Sequence, residues 1–326
     1  MKKQLTRILK IGISVLLAFL MIKFCDLDIT KTFHAIKSTN IFWFIATVLM
    51  FTATTFTNAY RWLVLARLLN YELSFAKAVR MYFESAFSNN FLPTNFGGDA
   101  IRAYDLGKQG QSWLRAASTV LAERFYGFAM MFCMIPVGLF AMRYTAFAHA
   151  IPSEISLGLW LTFVGTVVGI GSYKLWSKIP LSIVQKMNYA VHEYTRCKKS
   201  LQKVILWTLI THLLLLIGNV CSAYALGITI SQIPVWYWLI ITPAATLAGF
   251  IIPAVKGVGA KEASYIYFLG LLGVSSDTSL AIGFIAFIAT TISTLPGLSI
   301  AFRKIKFNKV ISEEHQHEEE ELAKLN

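Results

Sequence analysis

Hydrophobic residues run along this chain in six blocks, at 8–24, 41–66, 114–142, 155–176, 203–227 and 277–302. Each has about the length a helix needs to cross ~30 Å of hydrocarbon. Two further apolar stretches, 75–112 and 234–274, are interrupted. In both, glycine falls four residues after a proline and an ionisable residue nine after it: Pro93, Gly97 and Arg102 in one, Pro253, Gly257 and Glu262 in the other. The pattern predicts two helix–break–helix hairpins, each entering and leaving on one face. Breakers and charge are tolerated at membrane depth where the backbone is buried in protein or lines a polar cavity. Proline and glycine also occur in ordinary membrane helices. Their coincidence with charge in two halves is the pattern of a transporter's substrate site.

The distribution of basic residues orients these elements. Lys2, Lys3, Arg7 and Lys10 place the N-terminus inside. Arg67, Lys77 and Arg80 precede the first break and Arg102, Lys108 and Arg115 follow it, so that hairpin opens to the cytoplasm. The loop at 143–154 reads as outside. The long segment at 174–203, with seven Lys and Arg, reads as inside. The uncharged 228–234 loop and the 275–278 turn read as outside, and Arg303, Lys304, Lys306 and Lys309 return the C-terminus inside. Only 25–40, with Lys31 and Lys37, is discordant. The expected fold is therefore an all-α polytopic membrane protein of about six full spans plus two proline/glycine-broken helical hairpins. The hairpins enter from opposite faces, as an inverted repeat would give. Ile183, Val184, Met187, Val191 and Tyr194 add a basic amphipathic helix on the inner leaflet. The organisation is a transmembrane domain at 1–305 and a charged cytoplasmic tail at 306–326.

Composition agrees. Of the 326 residues, 56% are hydrophobic and only 14% charged, against about 25% charged in soluble domains. Six of the 17 acidic and one of the 30 basic residues lie beyond Val310, leaving 29 basic and 11 acidic in the body. That excess is spread between hydrophobic blocks, which points to anionic lipid and not to nucleic acid. The short apolar core after Lys10 meets no small-residue cleavage site, so the first block reads as an uncleaved span. Cys25, Cys133, Cys197 and Cys221 are scattered, without metal-binding spacing. No Walker loop, nucleophile elbow or zinc motif occurs, and no cofactor is expected.

The candidate chemistry lies at the breaks. A half-helix begins near Gly98–Asp99 and another near Gly259–Ala260. Their first amides lack intrahelical partners, and a helix N-terminus favours an anion. Gly97, Gly98, Gly257 and Gly259 let a headgroup approach the backbone. Arg102 lies about one turn into the first half-helix, and Lys256 and Lys261 flank the second. Asp99 can equally cap its helix, and Arg102 can equally be a cytoplasmic anchor. Glu123 and Arg124 stand inside an apolar run, where a charge faces a cavity or a partner helix. Glu123 is expected to pair with Arg102 or Lys261, leaving Arg124 for a phosphate, or else to form a structural bridge between helices. Two polar stripes, Thr47–Thr54–Asn58–Arg61 and Thr208–His212–Asn219–Ser222, read as helix–helix contacts.

Pro93 through Gly97-Gly98-Asp99-Ala100-Ile101-Arg102-Ala103-Tyr104 resembles the P…GGDAxRxY motif of the lysylphosphatidylglycerol synthase transmembrane (flippase-like) family. Ala117 through Glu123-Arg124 resembles the family's segment ending in Glu-Arg. Pro253 through Gly257-Val258-Gly259-Ala260-Lys261-Glu262 is similar to its P…GGxGxxE motif, with Lys256 in place of one glycine. The resemblance covers residues 1–305. Full-length synthases carry a soluble aminoacyl-transferase domain, and the chain to Asn326 shows no such segment. The resemblance thus implies the lipid-translocating part, a multi-pass plasma-membrane protein of the bacterial inner-membrane kind with both termini cytoplasmic. Its partner would be a membrane lipid with a phosphate headgroup. Gly97, Gly98, Asp99, Arg102, Glu123, Arg124, Gly257, Gly259, Lys261 and Glu262 would bind that substrate. Two other classes stay open: the membrane subunit of a lipid-modifying enzyme working with a separate soluble partner, and a non-transporting scaffold.

Overall fold

The computed structural model describes residues 29–90, 97–108, 113–147, 149–171, 194, 198–251 and 259–298. The first predicted span, the charged tail, the prolines of both breaks, Lys256 and Gly257 lie outside these residues. Every regular element among the described residues is helical. In chain order they are α1 Ile29–Lys37, α2 Ile41–Leu68, α3 Phe75–Ser88, α4 Gly97–Gly107 and α5 Trp113–Met142, followed by α6 Ser153–Gly171, α7 Lys198–Tyr224, α8 Val235–Ile251, α9 Ala260–Gly270 and α10 Ser276–Ser293. The protein is an all-α polytopic membrane protein. Four stretches, Ile41–Leu68, Arg115–Met142, Lys198–Tyr224 and Ser276–Leu298, are long and apolar enough to cross a bilayer.

Local chemistry sets the helix ends. The Asn40 side chain accepts from Phe42 N at 3.0 Å to start α2, and Ser74 and Ser275 cap α3 and α10 in the same manner at 3.3 Å, relieving amides that have no intrahelical acceptor. Three helices end alike. Asn70, Gly227 and Gly273 adopt positive φ, and the next residue's N–H reaches back to Ala66, Ala223 or Leu269, the six-to-one bond of a Schellman stop. Along the spans Thr and Ser hydroxyls donate to the preceding turn, as Thr47 does to Trp43 and Thr290 to Ala286, so the polar stripes expose no unmet hydroxyl to lipid.

The bundle is centred on α2 and α7. They run antiparallel, because contacts pair rising with falling numbers: Trp43 stacks on Tyr224, Phe51 fills the space left by Gly218, and Tyr60 meets Trp207. Around them the packing repeats. α2 is followed by α3, α4 and α5, and α7 by α8, α9 and α10. α4 packs on α5 as α9 does on α10, and α2 on α10 as α7 does on α5. α8 packs on α5, and α3 meets the end of α10, where Gly297 accommodates Phe87 and Asn90 bonds Thr294 at 2.9 Å.

Two apolar cores result. One joins the C-terminal half of α2 to α3, α4 and the start of α5, around Trp62, Leu65, Met81 and Leu106. The other joins the C-terminal half of α5 to α8 and α9, around Ile135, Trp238, Ile241 and Leu269. Two details depart from expectation. The 25–40 segment contains helix α1, packed on α10. Tyr194, expected on a face lying against lipid, is instead buried in the first core, beside residues of α2, α3 and the start of α5.

Candidate functional site

α4 begins at Gly97, directly after the first break, and is pressed against α3. A Cβ on Gly98 would collide with the Ser85 carbonyl, so this position must lack a side chain for α3 and α4 to meet. The Gly98 N–H donates to Asn89 Oδ1 at 2.7 Å. Asp99 and Arg102 then follow on one face of α4 and meet Glu123 and Arg124 of α5.

The result is a buried ionic network. Arg102 Nη2 lies 2.7 Å from Glu123 Oε2 and 3.1 Å from Asp99 Oδ1. Arg61, from α2, approaches the other Glu123 oxygen at 3.0 Å, and Tyr82 of α3 donates to that same oxygen at 2.9 Å. Arg124 directs Nε and Nη2 at Asp99 Oδ2, both at 2.7 Å. The Arg102 guanidinium sits between the rings of Trp62 and Tyr82, 4.6 and 4.3 Å from their centroids. Cation–π attraction there compensates a guanidinium edge that hydrogen bonds do not fully occupy. Trp62 is itself fixed by donating to Thr119 at 2.9 Å.

Three guanidinium groups face two carboxylates, leaving one positive charge in excess. Buried ions persist only when paired with opposite charge, as each of these is. The five side chains differ in access: Arg124 is 28% exposed, the other four 8% or less. Arg124 is therefore the network's outward group. Beyond it lies the Phe250 ring near the end of α8, 5.2 Å from the guanidinium carbon.

The second break is built otherwise. Gly259, at φ +90°, opens α9, and its N–H donates to Glu262 Oε2 at 2.7 Å. Glu262 is buried against Gly283 of α10, and Tyr265 donates to Asn219 of α7. The Lys261 stem lies along Gly249, one residue from the ring that Arg124 covers. No carboxylate is within ion-pair distance of Lys261 or Glu262's neighbours on α9 among the described residues.

Of the predicted residues, Asp99, Arg102, Glu123 and Arg124 thus converge at one point, with Gly98 as the close-packing position. Gly259, Lys261 and Glu262 form a second group, which approaches the first at the end of α8. The pairing choice falls to Arg102 and not Lys261, because α4 packs on α5 while α9 packs on α10. Arg124 is not left over: Asp99 holds it. Sequence reasoning missed Arg61, Tyr82 and Trp62 as members of the network. Arg61 did stand in a polar stripe, and it does make a helix contact, donating to Thr208 of α7 at 3.3 Å.

Helices broken at matched points, with charge gathered inside a bundle of bilayer-length spans, define a multi-pass membrane protein with a buried polar centre. The chain belongs to the family described as the lysylphosphatidylglycerol synthase TM region, whose model matches residues 7–297. That is the family its three motifs resemble, and the matched region is the transmembrane one, not an aminoacyl-transferase domain. No curated protein matches the chain.

Proposed function

We propose that this chain is an integral-membrane translocase for a phospholipid or polyisoprenyl-phosphate-linked lipid, its headgroup passing between two re-entrant hairpins while the tails stay in the bilayer. The observation that carries the reading is the partial exposure of Arg124 on an otherwise buried network with excess positive charge. Arg124 of α5 and Lys261 of α9 both approach the end of α8, where a phosphate would bridge them. The glycine-lined starts of α4 and α9 supply amides. Asp99 occupies Arg124 until a phosphate replaces it, and Arg102, Glu123 and Arg61 hold that pair in place. Repetition of the packing around antiparallel α2 and α7 supports an inverted repeat. In it α3–α4 enters from the cytoplasm and α8–α9 from outside, with about six full crossings and both termini in the cytoplasm of a bacterial inner membrane.

Purified protein in liposomes should move a headgroup-labelled anionic lipid between leaflets without ATP, tRNA or nucleotide sugar, as read by external quenching. Arg124→Ala should abolish the movement, and Arg124→Lys should restore part of it, since Lys lacks the bidentate fork. Movement by Arg124→Ala at the wild-type rate would remove Arg124 from the path. Newly aminoacylated or glycosylated lipid without leaflet movement, given a soluble partner, would make the chain a membrane subunit of a lipid-modifying enzyme. Neither activity from folded protein would leave a scaffold.

A further inference from the structure

Among the described residues the repeated packing gives α6 no counterpart, and it packs on α5. Its outer side is apolar and exposed at Leu157, Leu161 and Val164. Its inner side does not close against α5. Between them lies a cleft of about 690 Å³, walled by Phe140 and Arg143 of α5, His149 of the connecting loop, and Ser153, Ser156 and Trp160 of α6. Ligand sites commonly fall within about 300–1,000 Å³.

Depth and charge narrow the occupant. Arg143 lies 19 residues beyond Arg124 on one helix and its following turn, about 28 Å along the axis. The apolar span that carries Arg124, Arg115–Met142, ends one residue before Arg143. Arg143 therefore stands at the headgroup level at the C-terminal end of α5, away from the ionic network. Among the described residues no carboxylate comes within ion-pair distance of it. Glu154, the nearby acid, takes a bond from Ser153 at 3.1 Å. Phe140 and Trp160 present exposed rings on the two walls, at the depth where aromatic side chains meet lipid glycerol and upper acyl carbons.

We propose that this cleft holds one anionic phospholipid, its phosphodiester on Arg143 and its acyl chains against Phe140 and Trp160. An uncompensated guanidinium favours a headgroup with net negative charge over a zwitterion, whose amine returns the charge to zero. The site is separate from the Asp99–Arg124 centre and stands whether or not the chain translocates lipid.

The test uses the full chain in phosphatidylcholine vesicles containing increasing fractions of phosphatidylglycerol or phosphatidylcholine with brominated acyl chains. Trp160 emission is isolated as the difference between wild type and Trp160→Phe. Half-maximal quenching should need about fivefold less brominated phosphatidylglycerol than brominated phosphatidylcholine. Arg143→Ala should erase that preference, and Arg143→Lys should keep most of it. Arg143 is exposed, so its loss leaves the core intact. Equal quenching by the two lipids, or a preference that survives Arg143→Ala, would overturn the proposal. So would reversal by soluble glycerol phosphate, which would assign the cleft to a free anion.

Discussion

The two breaks begin with the same sequence grammar and end with different chemistry. At the first, α4 delivers Asp99 and Arg102 into a network with Glu123, Arg124 and Arg61. At the second, α9 delivers Glu262 to its own first amide and to Gly283. Arg102 and Glu123 are 21 residues apart, and so are Glu262 and Gly283. The place that holds a carboxylate in one half holds a bare backbone in the other. Arg61 shows the same asymmetry: it comes from α2, while α7 sends Asn219 to Tyr265 and Thr208 back to Arg61. One half has become a charged centre, and the other supports a neutral, close-packed helix start. Repeated helix packing thus does not require a repeated arrangement of charge.

The sharpest way to break that contrast is at Glu123. Glu123→Ala leaves Arg61, Arg102 and the Tyr82 hydroxyl without their shared acceptor. Removing one partner of a buried ionic group costs about 3–5 kcal/mol. Denaturant titration in mixed micelles should show most of the protein's stability lost, and little variant should accumulate in membranes. A loss under about 1 kcal/mol would mean that water reaches the network and that the two halves are more alike than the geometry says.

A middle-sized effect comes from the glycines. Gly98→Ala drives a Cβ into the Ser85 carbonyl, and backbone cannot rotate aside as a side chain would. A loss of about 1–3 kcal/mol is expected from such overpacking. Gly283→Ala places its Cβ 3.4 Å from Glu262 Cγ and Tyr265 Cδ2, ordinary contact distance. Its stability in the same titration should stay within about 0.5 kcal/mol of wild type. Reversal of that order would locate the tighter hairpin in the second half.

Much of this architecture is legible along the chain. Apolar blocks mark α2, α5, α7 and α10, and proline–glycine breaks mark the gaps between α3 and α4 and between α8 and α9. These features are local: length, periodicity and breaker position suffice. The members of the ionic network on α4 and α5 are legible for the same reason, since Asp99, Arg102, Glu123 and Arg124 are charges where lipid forbids unpaired ones. Their pairing is not. Arg61 shares its stripe with Thr47, which only bonds its own helix, and nothing in the spacing separates the two. Which neighbour α2 presents to α5 depends on helix rotation within the bundle. Trp62 and Tyr82 look like interfacial aromatics, and only the position of α4 against α2 and α3 turns them into walls for a guanidinium.

The smallest effect separates the halves most cleanly. Glu262 is as buried as Asp99 and Arg61, yet it bonds the first amide of its own helix. Glu262→Gln keeps an oxygen acceptor for Gly259 N–H and removes only the negative charge at a helix N-terminus. That charge contributes about 0.3–1 kcal/mol, so the variant should unfold close to wild type. Glu123→Gln is the matched control: it leaves one acceptor where two guanidinium groups and a hydroxyl converge, and it unbalances two buried cations. If Glu262 caps and Glu123 neutralises, the second substitution costs several times the first in the same micelles. Equal losses would show that Glu262 carries a buried ionic partner too, and the asymmetry between the breaks would fall.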